Sequence, residues 1–155
     1  MTVQLALRKH DTRLSARIIQ WWTGSEHSHC ELVVDGWCYS SSVMDKGVRR
    51  KRIDLNPDKW DLIEMPWASA DDVRHYFAQT DRYRYGWPSL ITSQLFNLNR
   101  PVKGAEFCSE WCAKAVGIPN ASSYSPGSLG YICGWIVRKT PLRKSLILNV
   151  AKLPN

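Results

Sequence analysis

Apolar residues at alternate positions open the chain: Val3, Leu5 and Leu7 are separated by Gln4, Ala6 and Arg8, which predicts a strand. From Leu14 to Trp22 the period lengthens, with Leu14, Ile18, Trp21 and Trp22 on one side of a predicted helix that Gly24 ends. Alternation resumes over Ser28 to Val34, where Cys30, Leu32 and Val34 share one face and His29, Glu31 and Val33 the other. Asp35-Gly36 then predicts a two-residue hairpin into Trp37 to Tyr39. Val48 to Leu55 reads as a strand whose run Arg49, Arg50, Lys51, Arg52 suits a solvated sheet edge, because long basic side chains discourage edge-to-edge pairing. Trp60 to Pro66 predicts a further short strand.

The second half turns helical. Ser69 precedes Ala70-Asp71-Asp72, and Val73, Tyr76 and Phe77 recur at helical spacing, a capped amphipathic helix with His75 on its outer surface. Arg82 to Pro88 predicts a loop feeding a helix at Ser89 to Phe96, and Asn97 to Gly104 a polar connection. Gly104 to Gly117 carries the next helix, with Cys108, Trp111, Cys112 and Ala115 on its apolar face and Ser109, Glu110 and Lys114 on wetter sides. Gly117 and Pro119 close it. Ser122 to Gly130 reads as loop, Tyr131 to Arg138 as a last strand or helix turn, and the tail from Lys139 as a final strand or docking arm. With no internal repeat or low-complexity linker, 155 residues of 44% hydrophobic content predict one domain over 1–155. Its expected class is α+β, a small antiparallel sheet or partial barrel packed against helices.

A net charge of +7 favours anionic partners such as a cell-wall polymer, an acidic lipid or a nucleic acid, and is equally compatible with solubility alone. No stretch approaches the roughly 20 apolar residues that span a bilayer. Arg8, Lys9, His10 and Asp11 interrupt the N-terminal apolar run, so the reading is cytoplasmic synthesis without a Sec signal. Five cysteines, an odd number, do not describe a disulfide framework and are read as reduced thiols. A metal site from Cys108, Cys112, Cys133 and His29 is weighed and set aside, since one helical turn between Cys108 and Cys112 is uncommon for zinc. The expectation is no metal and no cofactor.

Cys108, at a helix mouth, is the best candidate nucleophile. Only a thiolate attacks carbonyl carbon, and unpaired amides and the macrodipole at a helix N-terminus favour the anion. Its bland counterpart is an inert buried cysteine. His29 is a candidate base and Glu31, beside it on the same strand face, a candidate orienting group. His27 shares that face, so pattern alone leaves the choice of histidine open. Most of the eight tryptophans read as packing, with Tyr85 and Trp87, beside Gly86 and Pro88, as candidate substrate contacts.

The order His-x-Glu on an early strand, then Asp-Gly-Trp-Cys-Tyr-Ser-Ser-Ser, Lys-Gly-Val-Arg and a late Phe-Cys-Ser-Glu at a helix start, resembles the circularly permuted NlpC-type papain-like family. The closest branch is the YiiX/YebB-like proteins, which include phage-encoded members, with lecithin retinol acyltransferase-like enzymes further off. The resemblance spans Val3 to Trp135. It implies a cysteine helix packed on a small antiparallel sheet, Cys108 as nucleophile and His29 as base. Many relatives carry the third polar residue on the following strand, near Ser40 or Ser41 here; Glu31 is preferred over Ser41 because it shares the face of His29. A Ser-Pro stretch after the helix, here within Ser122 to Gly130, would form one wall of the site. The implied reaction is attack on an amide or ester carbonyl through a thioester, on cell-wall peptide or, as the alternative, on acyl lipid. A noncatalytic binding or virion-assembly module on the same fold is the rival from another class. Nucleic-acid binding through Arg49 to Arg52 is disfavoured, since no aromatic interleaving accompanies the run.

Overall fold

The computed structural model describes residues 2–9, 12, 17, 20, 21, 24–86 and 104–139. Most of the expected helix from Leu14 to Trp22, the helix at Ser89 to Phe96, Trp87, and the tail beyond Lys139 lie outside the described residues.

Seven strands form one sheet: β1 (Val3–Arg8), β2 (His29–Val34), β3 (Trp37–Ser42), β4 (Gly47–Lys51), β5 (Trp60–Met65), β6 (Arg84–Tyr85) and β7 (Ala105–Glu106). Their spatial order is β5-β1-β2-β3-β4-β6-β7. All neighbours run antiparallel except β6 and β7, which are parallel. The two edges, β5 and β7, do not pair, so the sheet is open rather than a closed barrel. Three helices complete the described α+β fold: α1 (Ala70–Thr80), α2 (Cys108–Ala115) and α3 (Pro126–Lys139).

The faces of the sheet differ in what covers them. Leu5, Leu7, Cys30, Leu32, Val34 and Tyr39 look toward the helices and share a core with Trp111, Cys112, Leu129 and Cys133. On the opposite face Ala6, Val33, Cys38 and Trp60 lie under Ile53 and Leu55 of the chain between β4 and β5. Burial on both faces makes β2 and β3 almost wholly interior, which is why polar residues on them must find partners inside the protein.

The Asp35-Gly36 hairpin forms as the dipeptide predicts, both residues at positive φ, and sets Val34 opposite Trp37. The β2–β3 ladder stops at Leu32 opposite Tyr39, after which the strands part and Ser40 Oγ donates to the Cys30 carbonyl at 2.7 Å. The basic strand is not an edge: β4 lies between β3 and β6. Its alternation sends Arg49 inward while Arg50 stacks over Trp37 and Phe77, with Arg52 also over Trp37. β6 approaches so closely that a side chain on Gly47 would meet the Tyr83 carbonyl oxygen at 2.1 Å.

Two further expectations are overturned. Pro126 to Gly130 is helix, not loop, and continues unbroken through Tyr131 to Lys139. Ser125 and Ser128 cap it reciprocally, Ser128 N–H donating to Ser125 Oγ at 3.2 Å and Ser125 N–H to Ser128 Oγ at 2.9 Å, with Pro126 preset for the first turn. Ser109 and Glu110 of α2 are fully buried rather than wet. Ser109 Oγ donates to the Tyr124 carbonyl at 2.6 Å, and Glu110 accepts from Lys114 Nζ at 2.9 Å. Trp111, buried, ties α2 to α1 through Tyr76 and a 2.9 Å bond from Nε1 to Thr80 Oγ1.

Candidate active site

Cys108 is the first residue of α2 and only 3% exposed. The residue before it, Phe107, has no side-chain oxygen and makes no side-chain capping bond. The approach is held rigidly two residues earlier. The Glu106 carbonyl accepts from Ser41 Oγ at 2.5 Å and from Gly86 N–H at 3.0 Å, while its Oε1 accepts from Tyr76 Oη at 2.7 Å and Lys114 Nζ at 2.8 Å.

The helix mouth meets the start of β2, where the ladder to β3 has ended. There His29 and Cys30, on opposite faces of the strand, both lie close enough to Cys108 to shift its thiol. His29 Nε2 is bonded to Glu31 Oε1 at 2.7 Å, which leaves Nδ1 for the thiol. Glu31 is wholly buried, and Arg49 grips both of its oxygens, with Nη1 on Oε2 at 2.5 Å and Nη2 on Oε1. Arg49 Nε donates in turn to Asp45 Oδ2 at 2.8 Å, and Lys51 Nζ holds the same oxygen at 2.7 Å. An unbroken polar chain therefore runs from the thiol to the surface at the β3–β4 turn.

The charges in this chain favour an ion pair. A hydrogen bond from the Cys30 thiol, then the His29 charge, lower Cys108 well below an ordinary thiol despite the opposing cost of burial. Burial pulls His29 down, but the Cys108 and Glu31 charges outweigh it and raise the imidazole from 6.5 to about 10. Burial would raise Glu31; the Arg49 bonds and the His29 charge overcome that and hold it below the usual carboxylate range. Cys30 is pushed up by burial and by donating to Cys108 and Cys112, so it stays a protonated donor. Thiolate and imidazolium at neutral pH are the state that activates a cysteine for attack on an electrophilic carbon.

Cys108, His29 and Glu31 thus converge. Ser41, the other candidate for the third position, is turned away and committed to the Glu106 carbonyl. His27, which shared the face of His29, binds Asp61 Oδ2 at 2.9 Å alongside Lys9. Tyr85 is buried and near enough to Cys108 and Cys30 that, after burial itself, their charges push its phenol up. Trp87 lies outside the described residues. Sequence reasoning missed Arg49, read as solvated, and the contact of Cys30 with Cys108. Among the described residues no three His, Cys, Asp or Glu side chains are arranged to hold a metal ion, and no helix is long and apolar enough to cross a membrane.

Compared with known proteins, the chain matches no family model, no curated protein and no solved structure.

Proposed function

We propose that the protein is a cysteine-dependent acyl hydrolase in which Cys108 attacks an amide or ester carbonyl, His29 serves as its proton partner and Glu31 orients the imidazole. The observation that carries this reading is the buried thiol at a helix N-terminus, paired with a histidine whose second nitrogen is held at 2.7 Å by a buried carboxylate.

The thiolate of Cys108 adds to the carbonyl carbon, and the developing oxyanion is met by backbone N–H groups at the start of α2, including that of Cys108. One such donor is typically worth about 3 kcal/mol in the transition state. The His29 imidazolium gives its Nδ1 proton to the departing amine or alcohol, leaving a thioester. Neutral His29 then takes a proton from water, which attacks the thioester and restores the thiolate and the imidazolium. Glu31 keeps the ring in one orientation through both steps.

The resemblance to permuted NlpC-type enzymes favours a cell-wall peptide as substrate, and the positive charge of the chain suits an anionic polymer of that kind. The same machinery handles an acyl ester, so the test includes both. Purified protein is incubated with peptidoglycan fragments and with lipid esters, and the products and any covalent adduct are followed by mass spectrometry. Cleavage of one class, with a transient acyl group on the Cys108 peptide, is the expected result. A protein that cleaves neither and never acquires an acyl group contradicts the proposal.

A further inference from the structure

We propose that Arg49 is a positioning residue for the His29–Cys108 pair, acting through Glu31 and latched from the surface by Asp45. The proposal rests on the hydrolase reading above and adds to it a residue outside the Cys-His-carboxylate set.

The geometry begins with the position of Arg49 in the sheet. Ser40, one step past the last β2–β3 ladder pair, stands across from Arg49 in the β3–β4 register and hydrogen-bonds the Cys30 carbonyl. Glu31 and Arg49 therefore lie on strands two apart, roughly 10 Å between backbones. A long side chain reaches across only because the residue between them is small. Arg49 crosses over Ser40 and closes on both oxygens of Glu31.

That fork does two things a lone carboxylate beside a histidine does not do. First, it fixes the carboxylate plane: Glu31 cannot rotate without losing both guanidinium bonds, so the direction in which Oε1 accepts His29 Nε2–H is fixed as well. Second, it keeps Glu31 ionised. A buried carboxylate without a cation takes up a proton, and a protonated Glu31 would donate to His29 Nε2 instead of accepting from it. The ring would then offer the wrong tautomer to Cys108. Asp45 completes the hold from the other side, with Arg49 Nε at 2.8 Å and Lys51 Nζ at 2.7 Å, and these two cations keep it charged down to about pH 2.

The groups facing Glu31 are accounted for from each neighbouring element. His29 approaches along β2, Arg49 with Lys51 behind it from β4, and Asp45 from the turn through Arg49. Cys38 on β3 is raised to about 11, chiefly by burial and then by Glu31, and is neutral at physiological pH. Arg49 is the cation that balances Glu31 when His29 is engaged with the thiolate.

The test compares wild type with Arg49→Gln, Arg49→Lys and the double variant Glu31→Gln/Arg49→Gln. Cys108 alkylation by iodoacetamide is measured from pH 4 to 9, and the His29 ring is observed by two-bond proton–nitrogen correlation spectra. Removing one positive charge raises the proton affinity of every group around it. In Arg49→Gln the acid limb of alkylation moves up by about one pH unit. The plateau rate falls about tenfold, and the His29 ring signals shift or broaden. Arg49→Lys restores the limb but not the plateau, because it returns the charge without the fork. The double variant, which leaves no buried charge unpaired, restores the limb and keeps the low plateau.

Arg49→Gln folded, with limb and plateau within twofold of wild type and unchanged ring signals, overturns the proposal. If that variant does not fold, a wild-type plateau in the double variant overturns it equally. A wild-type His29 that titrates near 6.5 beside a slowly alkylated Cys108 would instead contradict the hydrolase reading. The role of Arg49 is still decided in that case by the difference in ring signals between wild type and the Arg49 variants.

Discussion

The N-termini of α1 and α2 solve the same problem in opposite ways. At α1, Ser69 Oγ accepts from Asp72 N–H at 3.2 Å, and Asp71 and Asp72 add negative charge to the first turn. At α2 the capping position holds Phe107, fully buried, with no side-chain cap. Cys108 stands in that first turn, its thiol lowered by the Cys30 hydrogen bond and the His29 charge. The first turn of α1 has a capping oxygen and two acids exposed to solvent; that of α2 has no side-chain cap from Phe107, and its one acid, Glu110, is buried and tied to Lys114. Glu106, two residues before Cys108, is held by the same Lys114.

The sharpest way to break the comparison is to remove the anion. Cys108→Ser abolishes acyl transfer, a loss of about four orders of magnitude or more in turnover on whichever substrate the cleavage assay identifies. Glu31→Gln has a smaller effect on turnover, about a hundredfold, as the ring loses its charged partner. It also lowers folding stability by about 2 kcal/mol in urea unfolding, because Arg49, mostly buried, loses both bonds to Glu31 and keeps Asp45 at the surface.

His29, raised from 6.5 to about 10, contributes stability fully present below 6.5 and lost as pH rises through 10. Cys108, lowered from 9.0, contributes stability present above 9.0 and lost as pH falls through its folded value. Between 6.5 and 9.0 the folded pair and the unfolded chain bind the same number of protons. The contribution of the pair is therefore flat there and falls off on either side. Unfolding free energies of wild type and Cys108→Ser from about pH 5 to 10 measure it, and a wild type that loses no more stability than the variant as pH falls from about 6.5 to 5 contradicts the pairing.

The smallest effect is at the other helix. Ser69→Ala removes the cap of α1 and costs about 1 kcal/mol, with Cys108 alkylation unchanged. A change in alkylation would show that the two helix ends are not independent.

Much of this contrast was legible in the chain. Ser69 followed by two acids, and Cys108 at a glycine-led helix start, are local signals, and the Asp35-Gly36 dipeptide fixed the β2–β3 register. His29 and Glu31 on one face followed from strand alternation. The choice of His29 over His27 did not, because it depends on which one the α2 mouth approaches. Arg49 was misread for a similar reason. The turn from Val43 to Lys46 has no glycine or proline to announce it, so the register placing Arg49 across Ser40 from Glu31 could not be counted from sequence. The helix at Pro126 was hidden by its own caps, since serine, proline and glycine together read as loop when their order, Ser-Pro-Gly-Ser, is a helix start. The burial of Ser109 and Glu110 was invisible to amphipathic spacing because their partners, Tyr124 and Lys114, satisfy them inside the fold.

The central claim is that His29 holds Cys108 as a thiolate at neutral pH. The direct measurement is the rate of iodoacetamide labelling at Cys108 against pH, resolved from the other four cysteines by mass spectrometry, with His29→Ala alongside. The structure predicts rapid labelling already at pH 6, nearly flat to pH 9, and loss of that rapid phase in the histidine variant. Labelling that rises only near pH 8.5 and is the same in both proteins would contradict it.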